Sequence, residues 1–467
     1  MTQHIPLALL ILCVACGDDS TADVGVRDGG VVDGSGEADA LLVDASRPDA
    51  SPDASRDAGA DVSIDAADLC SGVDCGFGSC TADSGAAACE CDAGYHAEGL
   101  FCRADPCEGE DCPMSVEAWQ ELFDAEFNSP RRDAEDCEAL STSTGSEQEH
   151  YFFAYCIDGL VSMWRATGDN DYLDTSLRLI ENTVDDAVLR GDGFRYWPGP
   201  NDGSTHPLWD SYYWRQVTHL LRVMHGHPEL LAMNDYQARY EALLEFSTRD
   251  IWDKWESDGL GNLYRSRTHM ASHWARIGMD LFLITGEERY RVVFDNISHG
   301  TMPNYPSNLR EHFIDNPEVP GAFTWSQVWG DAPSESIQDT SHAGAIVSFI
   351  NEAAGQEVYW TSADVDALIQ TLLVVVWDPA LGGAYHQNVD GTDTTSGAFT
   401  GPYGLPGRLG GRLHEWLHLG RHSAEIQERM ETFYLDPARR NVIFFGYQAF
   451  GIGALNARIL ADGAPVY

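Results

Sequence analysis

Arg165-Ala166-Thr167-Gly168-Asp169-Asn170-Asp171-Tyr172-Leu173 reads as the end of one helix, a glycine stop and the start of another. Glycine just past a helix is the expected left-handed cap. The same device returns in Met224-His225-Gly226-His227, Ile284-Thr285-Gly286-Glu287, Ala353-Ala354-Gly355-Gln356 and His418-Leu419-Gly420-Arg421. Successive glycines are 58, 60, 69 and 65 residues apart. A period near sixty with two helices per unit predicts stacked helical hairpins. Apolar spacings of three and four fill most of 150–460, including 410–419, with little strand alternation. Five hairpins are visible. A sixth forms if 440–460 packs beside 115–127, which closes a mainly α (α/α)6 toroid over 114–467.

Counting back from each glycine aligns the five pre-turn helices. Thirteen residues back stand Tyr155, Tyr213, His273, His342 and Gly407; seventeen back stand Tyr151, Trp209, His269, Gln338 and Tyr403. Twelve back includes Trp214, Trp274 and Arg408, and Tyr212 lies beside them. A separation of four keeps one helix face. These helices are expected to line the inside, with their N-terminal polar groups gathered at one mouth. Helix N-termini aim N–H groups and positive dipole ends at that mouth, which suits an anionic ligand. Aromatics at helical spacing are commonly core; polar residues recurring where a core would repeat Leu argue for a site.

The chain has 467 residues and a formal charge of −46. That excludes nucleic acid and adsorption to anionic lipid as partners. Ile5 to Ala15 is apolar but too short to span a bilayer, which marks 1–16 as a signal for export. Val14-Ala15-Cys16-Gly17 resembles the lipobox of bacterial lipoproteins, implying a lipid on Cys16 as the sole tie to a membrane; cleavage near Ala15 without lipid is the alternative. The protein is thus expected at the outer membrane or cell surface, or secreted. Residues 17–69 carry 14 acids and three arginines; such a segment is expected to be a disordered tether.

Cys70, Cys75, Cys80, Cys89, Cys91 and Cys102 crowd into 70–102 of an exported chain, which means a disulfide framework. The spacing, with Gly94-Tyr95 and Gly99, resembles an EGF-like module, a resemblance that implies bridges Cys70–Cys80, Cys75–Cys89 and Cys91–Cys102. A spacer role is expected of it. Cys107 and Cys112 are expected to close a small loop in 103–113, and Cys137 and Cys156 are placed to pair.

The hairpins, Arg165–Leu173 among them, resemble those of the six-hairpin carbohydrate enzymes: polysaccharide lyases and glycoside hydrolases acting on uronides. The resemblance implies a glycan bound at one end of the toroid and stacked on aromatics, with Tyr151, Tyr155, Trp209, Tyr212, Trp214, His269, Trp274 and Tyr403 as binding residues. For β-elimination at a uronic acid it implies Tyr213, His273, His342, Gln338 and Arg408 as catalytic residues, Gln or Arg neutralising the carboxylate and His or Tyr moving the proton. Ser272-His273 and Ser341-His342 stand where those lyases carry Asn-His. Hydrolysis by two carboxylates, Asp210 and Asp339, is the alternative, and a non-catalytic glycan-binding surface protein is another. The sequence has no HExxH helix, phosphate-binding Gly loop or GxSxG elbow, and neither a cofactor nor a metal is expected.

Overall fold

The computed structural model describes residues 69–467 apart from 71–72, 74–77, 83–85, 92–94, 98–99, 101, 105–112, 131–135, 143–146, 200–205, 396–399, 405–412 and 437–445. The signal segment with Cys16, the acidic tether up to residue 68, the pair Cys107 and Cys112, and Arg408 lie outside the described residues.

Two short antiparallel hairpins come first: β1 (Gly78–Thr81) with β2 (Ala88–Cys91), and β3 (Tyr95–Ala97) with β4 (Cys102–Ala104). Cys70 is bonded to Cys80. Cys89 and Cys91 are disulfide-bonded as well, while Cys75 and the side chain of Cys102 lie outside the described residues. The apolar cluster here is little more than Cys89 with Val73, Cys80 and Cys91 against it. Bridges must stand in for hydrophobic burial at that size.

The helical body follows as α1 (Val116–Phe127), α2 (Glu147–Thr167), α3 (Asn170–Asp186), α4 (Pro207–His225), α5 (Tyr236–Phe246), α6 (Thr268–Thr285), α7 (Glu288–Ser298), α8 (Thr340–Gly355), α9 (Ser362–Gln370), a 3₁₀ segment (His414–His422), α10 (Ala424–Leu435) and α11 (Gly446–Asp462). The outer helices bury one stripe, such as Leu173, Leu177 and Ile180 of α3, or Tyr290, Val293, Phe294 and Ile297 of α7. The inner helices α4, α6, α8 and α11 are buried almost all round. Each inner element packs on the next, and α11 packs on both α2 and α1, so the ring closes. Closure depends on small residues. A Cβ on Gly451 would lie 2.3 Å from the Gly159 carbonyl oxygen, and one on Gly453 would meet the Trp119 ring at 2.8 Å. Beside that seam Cys137 is bonded to Cys156, pinning α2. Among the described residues no helix is long and apolar enough to cross a membrane.

The two ends of the ring differ. Inner and outer partners join through short turns at Gly168, Gly226, Gly286, Gly355 and Gly420. The returns to the next inner element are longer and include 187–206, 299–339 and 377–413. Their described parts reach the inner N-termini: Thr268 N donates to Gln327 O, Gln338 N to Trp325 O, and Asp339 bridges Asn388, so these stretches wall that end.

Two expectations need correction. Gly168 and Gly286 take the left-handed conformation, with φ of 73° and 72°. Gly226 keeps right-handed helical angles, and the chain runs on into a short helix, Pro228–Leu231. Gly355 ends α8 from inside, and Gly420 is excluded from bearing a side chain by Asn456, whose Nδ2 would lie 2.4 Å from its Cβ. The fifth inner element, expected as a helix over 410–419, is the 3₁₀ segment His414–His422. Tyr403 belongs instead to an extended strip paired with Tyr385.

Candidate functional site

The first four inner helices deliver a continuous aromatic and imidazole surface to the walled end. Tyr151 of α2 stacks on Tyr212 of α4 with ring centroids 4.1 Å apart. The Tyr212 hydroxyl donates to the Tyr155 hydroxyl at 2.8 Å. The His273 ring stands 5.1 Å from Tyr212, edge to face. His269, one turn above His273, lies 4.5 Å from the His342 ring. His342 Nδ1 is 2.8 Å from Asp339 Oδ2, and the other oxygen of Asp339 caps α8 by accepting the His342 backbone N–H at 3.0 Å. Their side chains are 21% and 30% exposed, so this pair faces open space. Tyr151, Tyr155, Tyr212, His269, His273, Asp339 and His342 therefore meet in one wall.

Electrostatics separates their roles. Burial would raise the Asp339 carboxyl, but the His342 ring and its backbone N–H outweigh it and hold the group at about 2. Asp339 is then an acceptor only, so the hydrogen between it and His342 sits on Nδ1, and Nε2 is the basic position. Burial, then the neighbouring His342, pushes His269 well below the ordinary imidazole range; burial and Arg215 do the same to His273. Both are neutral. His269 Nδ1 and His273 Nε2 are buried without a hydrogen-bond partner. Burial, followed by Glu415, raises the Tyr212 phenol far above its usual value, which keeps it protonated.

Other expected site residues stand elsewhere. Tyr213 is fully buried, its hydroxyl 3.0 Å from Thr183 Oγ1 of α3. Trp214 donates from Nε1 to Ser247 Oγ at 2.8 Å, and Trp274 packs edge-on against Trp252. All three point outward, into the packing between inner and outer layers. The residue that faces inward on α4 is Tyr212, one position before Tyr213, so counting back thirteen from Gly226 is off by one on this helix. Asp210 is sealed as well: Lys254 Nζ and Trp255 Nε1 both donate to its Oδ2, at 2.6 and 2.9 Å, and neither charged side chain has any exposure. Gln338 is buried beneath the site. Its Oε1 accepts from Thr268 Oγ1, and its Nε2 donates to Asp339 Oδ2 at 3.2 Å, so it braces the carboxylate. Trp209 is half-buried against His206 at 4.2 Å. Tyr403 is half-buried, and burial, then Asp339 and Asp393, raise its phenol.

Sequence reading overlooked several charged groups. Arg265 and Arg267, half-buried just before α6, act electrostatically on His273 and His269 respectively. The run Arg265-Ser266-Arg267 ahead of Thr268-His269 was the available signal. Deeper, Arg215 is ion-paired with Glu415 and lies 4.2 Å from the Tyr212 ring centre. Below that, the axis is filled. Arg222 bonds Asp280 and Glu352, Arg421 bonds Glu352 and His418, and His418 bonds Asp158. His418, in the 3₁₀ segment, is one of the links. The axis below the wall is thus closed by charged side chains, while the Asp339–His342 pair is partly exposed.

No family model and no curated protein matches the chain. Among solved structures, an inactive variant of the alpha-1,6-mannanase of Salegentibacter sp. HEL1_6, in complex with alpha-1,6-mannotriose, matches at 12% identity over 74% of this chain and 98% of that one, with a TM-score of 0.42. The structure titled simply as that mannanase matches over the same shares at 12% identity, with a TM-score of 0.39. A sugar epimerase from a ruminal bacterium matches at 10% identity over 67% of this chain and 87% of that one, at 0.33.

Proposed function

We propose that residues 114–467 form a glycan-processing enzyme that cleaves a uronic-acid-containing polysaccharide by β-elimination. The observation that carries this is the Asp339–His342 pair, set in a mouth lined by phenols, neutral imidazoles and arginines. Asp339 fixes the imidazole tautomer, and His342 Nε2 takes the proton next to the uronate carboxylate. Arg265 and Arg267 favour the charge that gathers on that carboxylate. Tyr151, half-buried on the Tyr212 ring, offers a face to a pyranose. The C4–O bond then breaks and a C4–C5 double bond forms.

Hydrolysis is the second reading. Asp339 and Asp393 both act on the Tyr403 phenol, and two carboxylates near one phenol support that reading. A panel of uronate-containing and neutral glycans separates the readings. New ultraviolet absorbance from an unsaturated product, lost in His342→Ala, supports elimination. Reducing ends without that absorbance support hydrolysis, and binding with neither supports a surface lectin. The segments before residue 114 fit display: an exported chain, lipidated at Cys16 or released, with the cysteine-rich 70–102 as a spacer of EGF-like type.

A further inference from the structure

Residues 385–389 form an extended strip along the start of α8. Asp339 and Asn388 form an antiparallel bridge, with Val389 N donating to Gln338 O at 3.1 Å and Thr340 N donating to Gln387 O at 2.7 Å. Those two hydrogen bonds flank the pair, which makes it the non-hydrogen-bonded kind, whose side chains share a face at closest approach. Residues two apart on a strand also share a face. The chain bends at Gln387, but burial alternates along the strip, with His386 and Asn388 half-exposed between buried neighbours, which gives His386 and Asn388 one shared side beside Asp339. Tyr385, Gln387 and Val389, on the opposite face, are buried. Thr340, next to Asp339, ties down this position by donating from Oγ1 to the His386 carbonyl at 2.9 Å.

His386 carries its own carboxylate. Its Nδ1 is 2.9 Å from Asp393 Oδ2, and Asp393 Oδ1 accepts the Gln387 backbone N–H at 2.8 Å. Both side chains are 18% exposed. The pair repeats the Asp339–His342 arrangement: one carboxylate oxygen on a backbone N–H, the other on imidazole Nδ1. Tyr403, on which both aspartates act, links the two pairs.

We propose that His386, oriented by Asp393, is a second catalytic residue and the general acid for the departing sugar. This rests on the glycan-cleaving reading of the mouth. In the elimination, His342 takes the C5 proton, and the C5–H electrons become the C4–C5 double bond. The C4–O bond breaks, and its oxygen receives a proton from the Nε2 side of the His386 ring. One imidazole gains a proton and the other loses one, so solvent exchange resets the pair with no co-reactant.

The test compares His386→Gln and Asp393→Asn with the wild type on a uronate polysaccharide, a uronide with an aryloxy group at C4 and a uronide with an aryloxy group at C1. Aryloxides leave without a proton. On polysaccharide, His386→Gln is expected to lose about 100-fold or more in kcat; on the aryl substrate that the wild type cleaves, it should stay within about three-fold, since no acid is required. Retained aryl turnover also shows that the variant is folded. Asp393→Asn should follow the same pattern more weakly. Equal losses on polysaccharide and aryl substrate, or unchanged turnover on both, overturn the acid role while the wild type's products still report on the mouth. A wild type that cleaves C1-aryl but not C4-aryl substrate defeats elimination and leaves His386 to be judged by leaving-group rescue there. No cleavage of any of the three by the wild type overturns both readings.

Discussion

Asp339 Oδ2 lies 2.8 Å from His342 Nδ1, while Asp339 Oδ1 caps the helix that carries His342. One carboxylate thus starts α8 and orients its imidazole. Replacing Asp339 by Asn frees the tautomer choice, because an amide can donate to Nδ1 as well as accept from it. Asp339→Asn and His342→Ala are each expected to lower kcat on the cleaved glycan by roughly 100- to 10,000-fold with little change in thermal midpoint. Steady-state kinetics beside circular-dichroism melting checks this; a variant that melts like wild type and turns over normally removes the pair from the chemistry.

Tyr213 provides the opposite control. Its phenol is buried against Thr183 and raised by that burial. Tyr213→Phe removes one internal hydrogen bond, about 1 kcal/mol of stability, and should leave kcat within two-fold. Its neighbour Tyr212, on the mouth side, should lose turnover as Phe, since its hydroxyl is the donor to Tyr155.

These two tyrosines show how far sequence could see. Glycine-punctuated hairpins carried the fold, and four of the five aligned helices reach the mouth, because helical period and helix caps are local properties of the chain. Period alone cannot separate neighbours 100° apart on a helix, and counting back thirteen from Gly226 reaches Tyr213 rather than Tyr212. Lys254, which neutralises Asp210, and His386–Asp393 come from an outer helix and a long return. Their meeting with the inner helices is a tertiary event with no spacing to announce it. The fifth inner element failed for a local reason: its approach, Gly404-Leu405-Pro406-Gly407, is poor in helix formers, and Gly404 has φ of 77°.

The Lys254–Asp210 pair predicts a large stability effect without a role in turnover chemistry. Both side chains are wholly buried, and Asp210 Oδ1 has no hydrogen-bond partner. Lys254→Met leaves an unpaired carboxylate in the packed layer and should cost about 3–5 kcal/mol. Lys254→Met with Asp210→Asn should recover part of that loss. Denaturant unfolding of the two variants measures the difference, and equal stabilities would mean that the pair is not coupled.

Ring closure can be probed at one atom. A methyl at Gly451 would sit 2.3 Å from the Gly159 carbonyl, which is backbone and cannot swing aside. Gly451→Ala should therefore destabilise the toroid by about 1–3 kcal/mol or more, read as a drop in melting temperature. Gly261→Ala, with nothing within 4 Å of the added carbon, is the matched control and should leave the midpoint nearly unchanged.

Acid should unfold the protein well above the carboxylate range. Burial, offset only in part by Asp210, holds His150 at about 4; burial together with Arg421 holds His422 at about 4. In the unfolded chain both titrate near 6.5. Below that value the unfolded state binds more protons than the native one, so stability must fall with falling pH. His150, fully buried, contributes on the order of 3 kcal/mol, fully present above 6.5 and lost as pH drops through about 4; His422, whose side chain is exposed, contributes less. His219, His269 and His273, also pushed well down by burial, act in the same direction. Asp158 and Asp339, at about 2, hold their share until lower pH still, losing it between 3.8 and about 2. Melting temperatures between pH 7.5 and 4 are thus expected to decline steadily from about 6.5 downward, and His150→Phe should flatten part of that slope. A midpoint constant across that range would show that these imidazoles are solvated and protonated in the native protein.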